Sequence, residues 1–446
     1  MKFVALILAA SILGGCAAYR KEPLDLKAGW PKTLSRLEID PSKLPLPELS
    51  SRRFDPRDGL DMTEVAMIAV ANNPDLKLSR DDAGVMSAQA FAARLLPDPA
   101  FGFSPQFPQN GIPGENITAF DLGLSYNLGA VMTRSLRMAA AGSDRQKADL
   151  ALLWQEWQVA GESRLLFARI RSRQNLSEIL DKRRALAARL YAGEKSVFDR
   201  KDLTLSRAAA EENALQQIEK QLSENRRLLE KDRHALNALL GLPPDSRLKL
   251  VGQAEIALPD SREIAGKLRK LAMIRPDLLA LQAGYEAQDL RLRQAILSQF
   301  PAIEAGITRS RDNTGINYEG FSLSLTLPIF NRNRGNIAIA EATRKRLHDE
   351  FQARLNAAYG EVEQILSDHM LLQSELARID ETLSSLSLLS RKAEAAFRSG
   401  DIDLAAYSGL ENEFFAKKAE KNAVEESILE EHIALLTLLG PEKESK

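Results

Sequence analysis

From Phe120 to Leu128 the chain alternates strictly: Phe120, Leu122, Leu124, Tyr126 and Leu128 are apolar, while Asp121, Gly123, Ser125 and Asn127 are small or polar. Phe321, Leu323, Leu325 and Leu327 repeat the pattern around Ser322, Ser324 and Thr326. A period of two sends successive side chains to opposite faces of a strand, so each segment has one greasy face and one wet face. Shorter partner signals precede them, Phe101 and Phe103 around Gly102, then Ile303, Ala305 and Ile307 around Glu304, Gly306 and Thr308. Stretches rich in Gly, Pro and Asn, residues 105–115 and 309–318, lie within each pair, so hairpins are expected at about 98–128 and 300–328. Alternation by itself suits a membrane wall and a half-buried soluble sheet equally.

Elsewhere the period is helical. Ala208, Leu215, Ile218, Leu222, Leu229, Leu236 and Leu239 follow a three-four spacing, interrupted by Glu211, Asn225 and Asp232. Tyr407, Leu410, Phe414, Val424, Ile428, Leu435 and Leu438 do the same, interrupted by Lys417, Lys421 and Glu431. Both read as seams for neighbouring helices. Gly241 and Gly440, each followed within two residues by proline, stop these helices. Residues 134–190 and 335–398 contain no proline and few glycines. They allow helices of about 60 residues and about 90 Å, too long for a globular core and suited to rods crossing a space such as the periplasm.

The two kinds of pattern recur together. Asn73-Pro74-Asp75-Leu76 returns as Arg275-Pro276-Asp277-Leu278 and Pro99-Ala100 as Pro301-Ala302, both shifted by 202. Leu122–Leu128 matches Phe321–Leu327, and Leu239-Leu240-Gly241 matches Leu438-Leu439-Gly440, both shifted by 199. Four landmarks in one order mark a duplication. The expected units are a first repeat over 59–241 and a second over 259–440, each a helix, a hairpin and two long helices, with a tail at 441–446.

The N-terminus carries an address. Lys2 and the apolar run Phe3–Leu13 are too short for a permanent span, and Leu13-Gly14-Gly15-Cys16 closes the leader as a lipobox containing the chain's one cysteine. Residues 1–15 are therefore expected to be removed, leaving an extended arm over 16–58. The likeness to bacterial lipoprotein signals implies that Cys16 is acylated, and Ala17 in place of a retention aspartate favours the outer membrane. A cleaved secretory leader with an incidental Cys16 is the other reading.

Composition narrows the classes. With 60 basic and 61 acidic residues there is no net field for nucleic acid. Beyond the leader no run of eighteen apolar residues exists, so any crossing of a bilayer must use strands. Four strands cannot close a barrel and lipid does not tolerate open edges, so chains must pool strands, three copies supplying twelve. The four histidines, His234, His348, His369 and His432, sit without H-E-x-x-H spacing, and no phosphate loop or nucleophile elbow is present. No enzyme, cofactor or metal site is expected. Trp154 and Trp157 lie on a helix and are expected to pack; Phe101, Phe103, Tyr126, Phe300, Tyr318, Phe321 and Phe330 are candidates for an interfacial belt.

The duplicated Pro-Asp-Leu helices, the run Leu-Ser-Leu-Thr-Leu-Pro-Ile-Phe at 323–330, Asn-Arg-Asn-Arg-Gly-Asn at 331–336 and the two Leu-Leu-Gly ends resemble the TolC-like outer-membrane factor family. Residues 328–336 are most similar to its heavy-metal, cobalt-zinc-cadmium type branch. The resemblance implies a mainly α fold with a small β part. It implies further that a long periplasmic α-barrel and a transmembrane β-barrel are both completed by trimerisation. It also implies the role of exit duct for a periplasmic adaptor and an inner-membrane pump. The alternative is a periplasmic coiled-coil lipoprotein, an adaptor or spacer without a channel. The family's aperture pattern, a glycine followed by serine and aspartate, is matched by Gly193, Ser196 and Asp199, and in the second half by Gly400, Asp401 and Asp403, with an acid for the serine. Tip to helix-ending glycine is 48 residues in one half and 40 in the other.

Overall fold

Asp61 starts the first helix of the repeat with a reciprocal cap: its carboxylate accepts from the Glu64 amide at 2.7 Å while Glu64 accepts from the Asp61 amide at 3.0 Å. The computed structural model describes residues 19–27, 29, 39–109, 117–199, 205–254, 256, 258 and 260–440, without side chains at 205–208. The leader 1–15, Cys16 and the tail 441–446 lie outside the described residues. Residues up to Leu37 form a unit of their own, and Glu38 onward forms a second.

In this second unit the elements are α1 (Pro47–Ser50), α2 (Met62–Asn72), α3 (Pro74–Arg94), β1 (Ala100–Gln106), β2 (Ala119–Asn127), α4 (Leu128–Met132), α5 (Arg134–Asp199) and α6 (Leu205–Leu239). They continue with α7 (Ser261–Arg269), α8 (Leu271–Ile274), α9 (Pro276–Leu297), β3 (Ala302–Arg311), β4 (Asn317–Thr326), α10 (Arg334–Ser399) and α11 (Leu404–Leu439). The order repeats as the duplicated landmarks require. Both long helices hold 66 residues, about 99 Å at 1.5 Å per residue. Part of the expected arm is packed: Leu44, Leu46 and Leu49 are buried with Met67 and Val70 of α2 and with Trp154 and Trp157.

The duplicated proline motif acts as a clasp. Pro74 and Pro276 open α3 and α9, where a missing amide costs nothing. The residue before each proline reaches back to the end of the other long helix of its half. Asn73 caps α3 by accepting from the Leu76 amide at 2.9 Å and donates to the Leu239 carbonyl at 2.9 Å. Arg275, fully buried, points a guanidinium N–H at the Leu438 carbonyl at 3.4 Å, lies 4.7 Å from the Trp154 ring and pairs bidentately with Asp277. Burial works to raise the Asp277 carboxyl, but Arg275 and Arg354 together hold it below the usual carboxylate range. Trp157 donates to the Thr437 carbonyl at 2.9 Å, so both tryptophans pack at this waist.

α5 is the spine. Towards the strands it lies against α3 and α9, with Asp144 paired to Arg291; away from them it lies against α6 and α11. Two of the three polar interruptions of the α6 seam are buried there: Asn225 donates to the Arg173 carbonyl and to Ser177, and Asp232 pairs with Arg173. α10 joins through α9 and α11, leaving it at one side of the chain and α3 and α6 at the other.

Candidate functional site

The strands form one antiparallel sheet in the order β1-β2-β3-β4, so β2 and β3 join the two halves and β1 and β4 are its edges. Paired residues in an antiparallel ladder point to the same face. The register then separates two surfaces. One carries Phe101, Leu124, Ile307 and Phe321 in one row, Tyr126, Ala305 and Leu323 in the next, and Ile303 with Leu325 below. The other carries Gly102, Gly123, Thr308 and Gly320, flanked by Ala100, Ser125, Gly306 and Ser322 and by Ser104, Asp121, Ser310 and Tyr318. Among the described residues nothing covers the centre of the greasy surface: Phe321 is 93% exposed and Leu323 67%.

The nine positions expected to face lipid divide accordingly. Phe120, Leu122, Leu124, Tyr126, Phe321, Leu323 and Leu325 fall on the apolar surface, Leu128 opens α4, and Leu327 follows the end of β4, 61% exposed. β3 and β4 run farther than the alternation indicated, to Arg311 and from Asn317. Only 312–316 turn, and Asp312 organises them: its carboxylate accepts from the Thr314 and Ile316 amides at 2.9 and 3.0 Å. This extension places Arg309 and Arg311 on the apolar surface, which the sequence reading missed; continuing the odd-numbered parity of Ile303, Ala305 and Ile307 would have found them. On the small-residue surface of the described strands the charged side chains are Asp121 and Glu304 alone.

At the far end of the helices Gly400 caps α10 with φ +83, and the Asp401 amide donates to the Ala396 carbonyl at 2.8 Å. Asp401 accepts from the Ser399 hydroxyl, and Asp403 caps α11 by accepting from the Ala406 amide at 2.7 Å. Phe397 and Tyr407 stack across this turn at 5.0 Å. Gly193 and Ser196 lie within the last turns of α5, which ends at Asp199. A Cβ on Gly193 would come 3.8 Å from Leu404, so the two halves meet at this level. Equal lengths of α5 and α10 set Gly400 against position 200, which with its connection 201–204 lies outside the described residues.

Among the described residues no group of three or more His, Cys, Asp or Glu is placed to hold a metal ion. His369 and His432, from different helices, nonetheless meet with ring centroids 4.9 Å apart. Glu431 Oε2 is 3.6 Å from His369 Nδ1. Burial, and then His432, push the His369 imidazole below its usual value; burial, and then Asp368, push the Glu431 carboxyl up. Separation of these histidines in the sequence hid the pair. No helix among the described residues is long and apolar enough to cross a membrane, which says nothing of strands.

Residues 268–441 match the family model described as Outer membrane efflux protein. The chain is 25% identical over 221 residues to the cation efflux system protein CusC of Escherichia coli K12, covering 46% of this chain and 47% of that one. It is 23% identical over 221 residues to the probable outer membrane lipoprotein SilC of Salmonella typhimurium, again covering 46% and 47%. These matches span about half the length of each curated relative. In fold the likeness extends over nearly the whole chain: the outer-membrane channel OprN superposes with a TM-score of 0.71 at 15% identity, covering 96% of this chain and 99% of that one.

Proposed function

We propose that the chain, which matches the outer membrane efflux protein model over residues 268–441 and shares the fold of a solved outer-membrane channel over nearly its whole length, is the outer-membrane duct of a tripartite efflux system. The observation that carries this reading is the uncovered two-faced sheet with two open edges. An isolated chain would leave Phe101, Phe321 and Leu323 in water and two ladders of backbone groups unpaired. Ten residues in β3 and in β4 suffice to cross a bilayer at the tilt barrel strands adopt, which takes about 9–11. Three chains joined edge to edge close twelve strands, with the apolar surface in lipid and the small polar surface around water.

The helices support the same assembly. Leu78, Val85 and Phe91 on α3, and Ile339, Met370, Leu371, Leu388 and Leu389 on α10, are exposed at the two sides of the chain that neighbouring copies would cover. The resulting tube extends into the periplasm, where Gly193, Ser196, Asp199, Gly400, Asp401 and Asp403 line its aperture and an adaptor brings the inner-membrane pump. Cys16 carries the lipid anchor beside the barrel. The duct conducts passively, the pump supplying the energy, and no step requires an enzyme. Metal cations are the proposed cargo: the relatives include a cation efflux protein, and Asp121 and Glu304 are the charges on the lumen face of the described strands.

The test is assembly. The delipidated full-length chain should migrate as an SDS-resistant trimer that heating converts to monomer, and should stay with the membrane. A monomer released into buffer would defeat the proposal.

A further inference from the structure

The outward end of the apolar sheet surface is neither apolar nor neutral. Above the row Phe101, Leu124, Ile307 and Phe321 comes Phe103, Leu122, Arg309 and Glu319, and above that Pro105, Phe120, Arg311 and Asn317. These rows adjoin the strand connections, at the end of the sheet away from the helices. A groove of about 570 Å³ runs over Phe101, Leu122, Leu124, Ile307 and Phe321 and ends at Arg309 and Glu319.

The two arginines are held differently. Arg311 donates to the Thr118 carbonyl at 2.9 Å and lies 5.2 Å from the Phe120 ring, while its Nε is shielded from solvent without a partner. Arg309 is more than half exposed; its contact with Glu319, at 3.6 Å, is an ion pair too long for a hydrogen bond. Each chain thus presents two guanidiniums against one carboxylate directly above a greasy groove.

We propose that this surface binds a phosphate-bearing lipid of the outer leaflet, its acyl chain in the groove and its phosphate between Arg309 and Arg311. A guanidinium fork matches phosphate oxygens in pairs, and at a membrane boundary the alternative for an arginine is partial desolvation without a counter-charge. The inference rests on the reading of the sheet as a membrane wall. It adds a headgroup preference, which simple anchoring of arginine at an interface would not give.

Native mass spectrometry of the full-length trimer, titrated with dipalmitoyl phosphatidic acid, with dipalmitoylglycerol and with inorganic phosphate, tests it. Phosphatidic acid should be retained about tenfold more strongly than the diacylglycerol, and inorganic phosphate should not displace it. R309Q/R311Q should abolish that preference and R309K/R311K should keep part of it, with single-channel conductance unchanged in both. Equal retention of the two lipids, or an undiminished preference in R309Q/R311Q, would overturn the proposal. A wild-type chain that forms no conducting trimer would instead remove the channel reading beneath it.

Discussion

Leu323→Lys and Ser324→Lys place the same charge on adjacent residues of β4, on opposite faces of the sheet. Leu323 pairs with Ala305 beside Tyr126, at the centre of the apolar surface; Ser324 pairs with Glu304 on the small-residue surface. A lysine at the bilayer midplane of a barrel costs about 2–4 kcal/mol, and three copies bring Leu323→Lys to about 6–12 kcal/mol per trimer. Ser324→Lys meets water and the Glu304 carboxylate, so its cost is about zero. Denaturant unfolding of the trimer in lipid vesicles measures both. The account expects a shift of several powers of ten in the folding equilibrium at Leu323 and almost none at Ser324. Equal losses, or the larger loss at Ser324, would refute the assignment of faces.

Arg275→Ala should lower stability by about 3 kcal/mol, since it leaves the poorly exposed Asp277 with Arg354 as its remaining arginine and removes a contact to the Leu438 carbonyl; an unchanged thermal midpoint would contradict the clasp. Gly400→Ala should cost about 1–2 kcal/mol because φ is +83, whereas Gly193→Ala, inside α5, should gain about 0.5–1 kcal/mol, both read by thermal denaturation. His369 is shifted below 6.5, so the fold takes up fewer protons there than the unfolded chain does. Its contribution is therefore full above about pH 6.5 and falls as pH drops towards the lowered folded value. His369→Gln should flatten thermal stability over that window, and an unaltered pH profile would count against the buried pair.

The sequence was most legible where one physical demand dominates a segment. Period-two alternation marked the strands because the two faces of a sheet make opposite demands on neighbouring residues. The lengths of α5 and α10 followed from the lack of proline, and Gly241 and Gly440, with φ +63 and +81, end α6 and α11 as their positions suggested. Where several demands compete, the reading stopped short. Arg309 and Glu319 look like loop residues, yet ladder hydrogen bonds carry β3 and β4 past them to the turn organised by Asp312. Asn225 and Asp232 look like breaks in a seam, but Ser177 and Arg173 on α5 partner them in the packed structure. His369 and His432, 63 positions apart, meet only through helix packing that no local period encodes.

The aperture shows the same limit. Gly193 matches the family's glycine-serine-aspartate pattern, whereas the C-cap of the second half is set by a left-handed backbone at Gly400, and the corresponding level of the first half falls after Asp199. The unequal spacings of 48 and 40 residues thus come from comparing a glycine inside a helix with a glycine at a helix end.

The central claim is that three copies of this chain enclose a water-filled path across a bilayer. Planar-bilayer recording from the purified, unheated full-length trimer tests it most directly. The account predicts discrete ohmic steps with cations preferred over anions, a preference weakened in Asp121→Asn/Glu304→Gln. A trimer that inserts without conducting would contradict it, and an anion preference would contradict the cation cargo.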